Sequence, residues 1–198
     1  MKSKHLLGVV VCGGESRRMG SDKGLLPIGD TIWAKQIGAK LERLNFPVVY
    51  SINTSQEKGY SRYINHGQLV IDSAIASGPL NGLLTVYQQF PASDFLVLAC
   101  DMLDIQEDTL KMLHIAYVEE DFHFYSYREK GFYQTFCAIY TGKGLNAFYS
   151  LSNTGRIDQS SLQSILQAGY TRKLEVIQTS SFNNYNRMDV LPSLDPSV

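Results

Sequence analysis

The sequence predicts the α/β fold class, as a three-layer α/β/α sandwich around a mostly parallel but mixed central sheet. Apolar runs of strand length alternate with longer amphipathic stretches, which is the pattern of a parallel sheet flanked by helices. Residues 6–12 are almost continuously apolar, as in a central strand covered on both faces. Aromatic and β-branched residues after Phe122 cluster around Gly131, so a hairpin is expected there.

Length and charge limit the organisation and the partners of the chain. Of its 198 residues 44% are hydrophobic, enough for one full core and too few for two large independent domains, so we expect residues 1–198 to form a single domain. The 18 basic and 19 acidic residues leave a formal net charge of -1. No general field would attract nucleic acid or an anionic membrane, and any anion site must be local.

The predicted elements alternate for most of the chain. Strands are expected at residues 5–12, 47–52, 69–72 and 95–100, in a hairpin over residues 122–140, and at residues 173–178. Helices are expected at residues 31–44, 80–90, 107–118, 142–151 and 158–168. In such a Rossmann-like sheet, ligands bind at the carboxyl ends of the strands, so residues that directly follow strands are the first candidates for a site.

The N-terminal sequence and the cysteines favour a cytoplasmic protein. The opening apolar run is too short to span a membrane and lacks a signal-peptide cleavage pattern. Cys12, Cys100 and Cys137 are far apart, odd in number and without CxxC spacing. We therefore expect reduced thiols in the core rather than a disulfide framework.

A glycine-rich segment after the first strand has the composition of a phosphate-binding loop. Gly13 and Gly14 let backbone N–H groups approach phosphate oxygens closely. Arg18 and Lys23 could neutralise phosphate charge, the first as a planar fork and the second as a point charge. The glycine spacing fits neither a Walker A loop nor a dinucleotide-binding fingerprint. A flexible connection with surface charges is the alternative interpretation.

A carboxylate follows the fourth predicted strand. Asp101 stands where a side chain could hold Mg²⁺ against the oxygens of a triphosphate. Because Mg²⁺ takes one or two carboxylates together with phosphates and water, a single aspartate suffices. Asp104 is a second candidate ligand, with a solvent-facing loop position as its alternative.

The loop resembles a known signature. The segment Gly13-Gly14-x-Ser16-x-Arg18-Met19-Gly20-x-Asp22-Lys23 is similar to the LAGGxSxRMGxDK motif of the molybdenum cofactor guanylyltransferases. The resemblance implies a Mg²⁺-dependent nucleotidyltransferase whose substrates are GTP and molybdopterin, with or without molybdenum. The implied nucleotide-binding residues are Val11, Cys12, Gly13, Gly14, Arg18, Lys23, Asn53, Asp72 and Asp101. Arg18, Lys23 and Asp101 are the implied catalytic residues, with Asp101 as the metal ligand.

Two of these residues are implied to contact the guanine or ribose. Asn53 follows the second predicted strand and Asp72 ends the third. A carboxylate can accept hydrogen bonds from both the N1–H and the exocyclic amine of guanine, which suits Asp72 as a purine filter. A helix cap or a turn is the alternative role for an isolated aspartate.

The resemblance continues into a substrate-binding half. The turn at Gly78, Pro79 and Gly82 resembles the family's GPLAG motif, and Asn184 and Asn186 match its F-x-N-x-N segment. These five residues are the implied substrate-binding set, with capping or turn formation as the alternative for the asparagines. The nucleotide-binding half would span about residues 1–105 and the pterin-binding half about residues 106–190.

The sequence departs from the family pattern at three places. Leu103 stands where the family has proline, and Arg187 and Met188 replace a Thr-Pro pair. These departures leave open a noncatalytic GTP-binding accessory protein of cofactor biosynthesis. A cytidylyltransferase or a sugar-phosphate nucleotidyltransferase is the other alternative. The resemblance favours GTP over CTP, because the cytidylyltransferases usually have Ala-Ala-Gly where this chain has Cys12-Gly13-Gly14. Protein partners would be cofactor-biosynthesis or molybdoenzyme-chaperone proteins.

Overall fold

A seven-stranded sheet organises the fold, seen in a computed structural model in which residues 5–13, 22–73, 79–152, 161–177, 179–183 and 185 are described. The strands are β1 (Leu6–Val11), β2 (Pro27–Ile28), β3 (Thr31–Ile32), β4 (Val48–Ile52), β5 (Leu69–Ile71), β6 (Asp94–Ala99), β7 (Phe124–Glu129), β8 (Phe132–Tyr140) and β9 (Thr171–Glu175). The helices are α1 (Trp33–Glu42), α2 (Glu57–Tyr60), α3 (Pro79–Gln89), α4 (Glu107–Glu119), α5 (Gly142–Ser152) and α6 (Leu162–Ala168).

The main sheet is mostly parallel and mixed, as the sequence predicts. Its strand order is β5-β4-β1-β6-β8-β7-β9, and β2 and β3 form a separate antiparallel pair. Strand β8 is antiparallel to both β6 and β7, whereas the other pairs are parallel. Lys130 and Gly131 join β7 to β8 with φ angles of 48° and 91°. Two successive positive φ values fit a tight hairpin turn, which confirms the predicted hairpin.

Helices cover both faces of the sheet and give the three layers. Alternate residues of β1 point to opposite cores, with Val10 in one and Val9 in the other. Helices α1 and α4 bury side chains against the first core, and helices α3, α5 and α6 against the second. This arrangement explains why β1 reads as a continuous apolar run. No helix in the described part of the chain is both long and apolar enough to cross a membrane.

The structure differs from the sequence prediction mainly around the smallest elements. The expected helix over residues 31–44 begins with the short strand β3, so the helix itself starts at Trp33. The sequence did not predict the β2–β3 pair or the one-turn helix α2. Such elements are too short to show a hydrophobic period. The predicted helix over residues 158–168 is described only from Ser161, which caps α6.

The strand order creates a switch point beside β1. The chain passes from β1 to β4 on one side and later returns to β6 on the other side of β1. The chain thus reverses its direction across the sheet between β1 and β6, and the carboxyl ends of these two strands mark the place of the reversal. Binding sites in open α/β sheets lie at this position.

We expect Gly38→Ala to destabilise the fold. A Cβ atom at Gly38 would collide with the hydroxyl of Tyr50, a side chain that is 3% exposed and packs between α1 and β4. Overpacking of this kind costs about 1–3 kcal/mol, which a urea unfolding curve would measure. Gly67→Ala is the matched control, because a Cβ atom there meets nothing within 4 Å. Equal stability of the two variants would contradict close packing between α1 and β4.

Candidate functional site

The loop after β1 and the carboxylate after β6 lie at the same edge of the sheet. Val11 pairs with Ala99 in parallel register, and the Cys100 N–H donates to the Val11 carbonyl oxygen over 3.1 Å. Residues 12–13 therefore leave the sheet directly beside residues 100–101. The three cysteines are buried and free, as predicted, and two of them flank this junction.

An ion pair joins two of the three predicted catalytic residues at this edge. The Lys23 Nζ donates to Asp101 Oδ2 over 2.8 Å, and the two side chains are only 19% and 14% exposed. Partial burial weakens solvent screening, so this pair is electrostatically stronger than a surface pair of the same length. The structure thus brings together a cation and a carboxylate that lie 78 positions apart in sequence.

The turn that presents Lys23 is anchored by Asp22. Residues Lys23–Leu25 form a short 3-10 helix, and Asp22 caps it by accepting a hydrogen bond from the Gly24 N–H over 3.0 Å. The same oxygen, Asp22 Oδ1, accepts a hydrogen bond of 2.9 Å from the Tyr60 hydroxyl. A Cβ atom on Gly24 would collide with that hydroxyl. Glycine at this position is required because the phenol approaches the backbone so closely.

A second carboxylate stands at the end of β5. The Ser51 hydroxyl donates to Asp72 Oδ1 over 2.9 Å, and a Cβ atom on Gly13 would lie 3.0 Å from Asp72 Oδ2. On the other side, a Cβ atom on Gly82 of α3 would collide with the Ser51 hydroxyl. Two glycines therefore let the loop after β1 and helix α3 close around this carboxylate.

Burial changes the ionisation of this aspartate. The pKa of Asp72 is raised from its ordinary value by desolvation, and the hydrogen bond from Ser51 offsets part of that rise. A partly desolvated carboxylate should bind a ligand with paired N–H donors favourably, because these donors replace hydrogen bonds that the carboxylate has lost to water.

The neighbouring residues Gly13 and Asn53 also make hydrogen bonds that stabilise the fold. The Gly13 N–H donates to the Ser51 carbonyl oxygen over 3.2 Å, so the backbone donor expected to bind phosphate is already engaged. Asn53 caps the 3-10 helix Thr54–Gln56, and its Oδ1 accepts hydrogen bonds from the Gln56 N–H and the Ser55 hydroxyl. A nucleotide-binding role of Asn53 stays a prediction.

The C-terminal segment reaches the same edge. The Tyr185 N–H donates to the Asp101 carbonyl oxygen over 3.3 Å. The Tyr185 hydroxyl and the Asn183 amide both donate to Asp104 Oδ2, over 2.6 Å and 3.0 Å. The hydrogen bond to Asp104 is the main cause that raises the pKa of Tyr185 to about 12. Asp104 thus holds the C-terminal segment next to Asp101.

Some predicted site residues fall outside the described residues. These are Gly14, Arg18, Gly78, Asn184 and Asn186, together with the departures Arg187 and Met188. Pro79 begins helix α3, a position that suits proline because its missing N–H would have no partner there. Leu103, the third departure, packs against the core.

The donor set near Asp101 suits a magnesium ion held mainly by its substrate. Among the described residues, no group of three or more His, Cys, Asp or Glu side chains is placed to hold a metal. Mg²⁺ does not require such a cage, because one or two carboxylates and phosphate oxygens are its usual ligands. Asp101, at the switch point, is the carboxylate that fits this role.

Sequence reasoning missed the polar residues that support the site. Ser51 and Tyr60 gave no pattern of their own, because their contacts are made only in the folded chain. Gln56 had a usable signal: Asn53-x-x-Gln56 matches the capping-box pattern, and the structure forms both of its hydrogen bonds.

We expect Asp72→Asn to stabilise the protein at neutral pH. A raised folded-state pKa means that the folded chain binds more protons than the unfolded chain just above pH 4, so stability falls as the pH rises through the folded pKa. Asparagine keeps the acceptor for Ser51 and removes the buried charge. The melting temperature at pH 7 should exceed that of the wild type, and the difference should shrink toward pH 4. Asp108→Asn, with a side chain that is 84% exposed, is the matched control. A lower melting temperature for Asp72→Asn at pH 7 would contradict the desolvation argument.

The chain has curated relatives among the proteins of molybdenum cofactor biosynthesis. The chain is 31% identical over 152 residues to the molybdenum cofactor biosynthesis bifunctional protein of Synechocystis sp., covering 76% of this chain and 43% of that protein. It is 30% identical over 122 residues to the molybdenum cofactor guanylyltransferase of Shewanella loihica, covering 60% of each chain. The chain spans about half the length of the curated relatives it matches.

Solved structures share the fold. Molybdopterin-guanine dinucleotide biosynthesis protein A from Archaeoglobus fulgidus superimposes with a TM-score of 0.72 over 93% of both chains, at 18% identity. The 4-diphosphocytidyl-2C-methyl-D-erythritol synthase of Anaerococcus prevotii gives a TM-score of 0.68 over 94% of both chains, at 10% identity. At such identities the likeness concerns the fold alone, and it confirms the predicted α/β class.

The family assignment follows from the sequence match. The profile of the MobA-like NTP transferase domain matches residues 8–173. This range contains most of β1, the turn of Lys23, and the strand ends that carry Asp72 and Asp101. The chain belongs to the MobA-like NTP transferase family.

Proposed function

We propose that this chain transfers GMP from GTP to the terminal phosphate of molybdopterin, with or without molybdenum, and releases pyrophosphate. The observation that supports it most is the Lys23–Asp101 pair at the switch point between β1 and β6. The names of the Synechocystis and Shewanella relatives support the choice of cofactor and of guanine. Residues 1–198 would form one domain, working in the cytoplasm, with its nucleotide half at about 1–105 and its pterin half at about 106–190.

The proposed reaction is a phosphoryl substitution. An oxygen of the terminal molybdopterin phosphate forms a bond to the α-phosphorus of GTP, and the bond from that phosphorus to the oxygen bridging to the β-phosphate breaks. Pyrophosphate leaves with the electron pair. Because the attacking phosphate is already anionic at pH 7, the protein needs no general base. Its residues align the two substrates and neutralise charge.

Asp101 is the proposed magnesium ligand, and Lys23 stands beside it. Mg²⁺ when bound would neutralise triphosphate charge. The ion pair holds Lys23 next to the carboxylate, so a triphosphate arriving there meets an ordered ammonium group. Arg18 is proposed to add a second cation and Gly14 a backbone donor, from the loop between Gly13 and Asp22.

Asp72 is the proposed guanine reader. Its carboxylate lies beside Gly13 and is oriented by Ser51. Paired N–H donors on guanine would satisfy a carboxylate whose desolvation is otherwise only partly compensated. Cytosine has no N1–H donor, so this geometry favours GTP over CTP. Asn53 is proposed to contact the ribose or base from the neighbouring strand end.

The direct test is a pyrophosphate-release assay with purified molybdopterin and Mg²⁺. We expect release with GTP and at least roughly tenfold less with CTP or UTP. Asp101→Asn should reduce the rate by roughly a hundredfold or more, and the exposed Asp108→Asn should leave it unchanged. Release with CTP rather than GTP would point to a cytidylyltransferase. GTP binding without any release would point to an accessory protein.

Lys23→Ala should lower kcat/KM for GTP by about a hundredfold, which corresponds to about 3 kcal/mol of lost electrostatic stabilisation. Steady-state kinetics of pyrophosphate release measures this change. Lys111→Ala is the matched control, because Lys111 pairs with carboxylates on the exposed face of α4 and its side chain is 51% exposed. Turnover of GTP by Lys23→Ala at the wild-type rate would remove Lys23 from the mechanism.

A further inference from the structure

One side chain bridges the two ends of the glycine-rich loop. The Gln56 amide nitrogen donates to the Cys12 carbonyl oxygen over 3.0 Å, where the loop begins. The same nitrogen donates to Asp22 Oδ2 over 2.6 Å, where the loop ends. A single amide group therefore fixes the separation between the end of β1 and the turn that carries Lys23.

The bridging amide is itself held in place. Gln56 Oε1 accepts a hydrogen bond of 2.8 Å from the Asn53 N–H, as part of the capping box at the end of β4. With both its oxygen and its nitrogen engaged, the amide has one orientation that satisfies all three partners. The bridge thus fixes the positions of both loop ends relative to the carboxyl end of β4, a buried strand of the sheet.

The contact of Gln56 with Asp22 connects the bridge to the turn that carries Lys23, one residue of the proposed catalytic pair. Asp22 Oδ2 is bound by Gln56, and Asp22 Oδ1 by the Gly24 N–H and the Tyr60 hydroxyl. Asp22 caps the turn in which Lys23 is the first residue. A displacement of Asp22 would therefore move the backbone of Lys23 relative to Asp101.

We propose that Gln56 is a positioning residue for the nucleotide triphosphate, a role that rests on the proposed function. It touches none of the reacting atoms. It sets the distance between the strand end at Cys12 and the turn of Lys23, between which the triphosphate would lie. Its loss should weaken GTP binding more than it slows the chemical step, because Lys23 and Asp101 remain present but are no longer pre-organised.

Gln56→Met tests the bridge with a side chain of similar length and no hydrogen-bonding amide. We expect KM for GTP to rise about tenfold, with kcat within about twofold and KM for molybdopterin unchanged. Gln68→Met is the matched control, because the Gln68 amide also donates to a backbone carbonyl, that of Val48 at the opposite end of β4. If Gln56 had only a structural role, Gln56→Met and Gln68→Met would both lower the melting temperature, and neither would change the KM for GTP or for molybdopterin.

An exchange of partners tests the contact itself. Gln56→Glu would put a second carboxylate against Asp22 and remove the donor to Cys12, so KM for GTP should rise further than in Gln56→Met. Adding Asp22→Asn restores an amide-to-carboxylate hydrogen bond, since the new amide at position 22 can donate to the new carboxylate at position 56 and still accept from Tyr60. The double variant should recover about tenfold in KM relative to Gln56→Glu alone, and its KM should stay above the wild-type value because the donor to the Cys12 carbonyl is still missing. A KM equal to that of Gln56→Glu alone would show that the contact with Asp22 does not position Lys23, and it would overturn the proposal.

The outcomes separate the two proposals. If the wild-type protein releases no pyrophosphate from GTP and molybdopterin, the proposed function fails and this role fails with it. If the wild type is active and folded Gln56→Met keeps the wild-type KM for GTP, the positioning role alone is wrong. If Gln56→Met does not fold, the comparison of Gln56→Glu with the double variant decides the question.

Discussion

The parallel pairing of β1 with β6 is the contact on which the site depends. These strands are far apart in sequence, and their register places Val11 opposite Ala99. Because both strands are buried on both faces, a slip by one residue would move each side chain into the opposite core and disrupt the packing of both. The hydrophobic cores therefore fix where residues 12–13 lie relative to Asp101, and the ion pair between Lys23 and Asp101 adds to this arrangement.

The sheet determines which residues lie near one another, and polar contacts then determine the distances between them. Lys23 reaches Asp101 only because its turn is capped by Asp22, and Asp22 is held by residues from the segment after β4. This edge of the sheet thus has two levels of order. Burial of the strands decides which residues meet, and a small hydrogen-bond network decides at what distance.

The sequence could predict the fold and the principal charged groups. Long apolar runs and amphipathic helices carry a periodic signal, so β1, β6 and α4 were predicted within a residue or two. Lys23 and Asp101 could be found because strand ends are where ligands bind. The β2–β3 pair could not, since two-residue strands have no period. Ser51 and Gly82 were equally invisible as a pair, because their proximity depends on how closely α3 approaches β4.

The reversed strand β8 gives the site an asymmetric rim. Its residue Cys137 lies opposite Leu98, near the carboxyl end of β6, and β8 begins five residues earlier at Phe132. Continued by one residue, this register sets Ala99, the last residue of β6, opposite Phe136, so the hairpin extends four residues, or about 13 Å at about 3.3 Å per residue, beyond the end of β6. On the β8 side the rim is a hydrogen-bonded ladder shared with β7, with a register shift between Ser126 and Arg128. Paired strands hold their side chains at regular spacing, so this part of the hairpin can present an ordered row of side chains beyond the carboxyl end of β6.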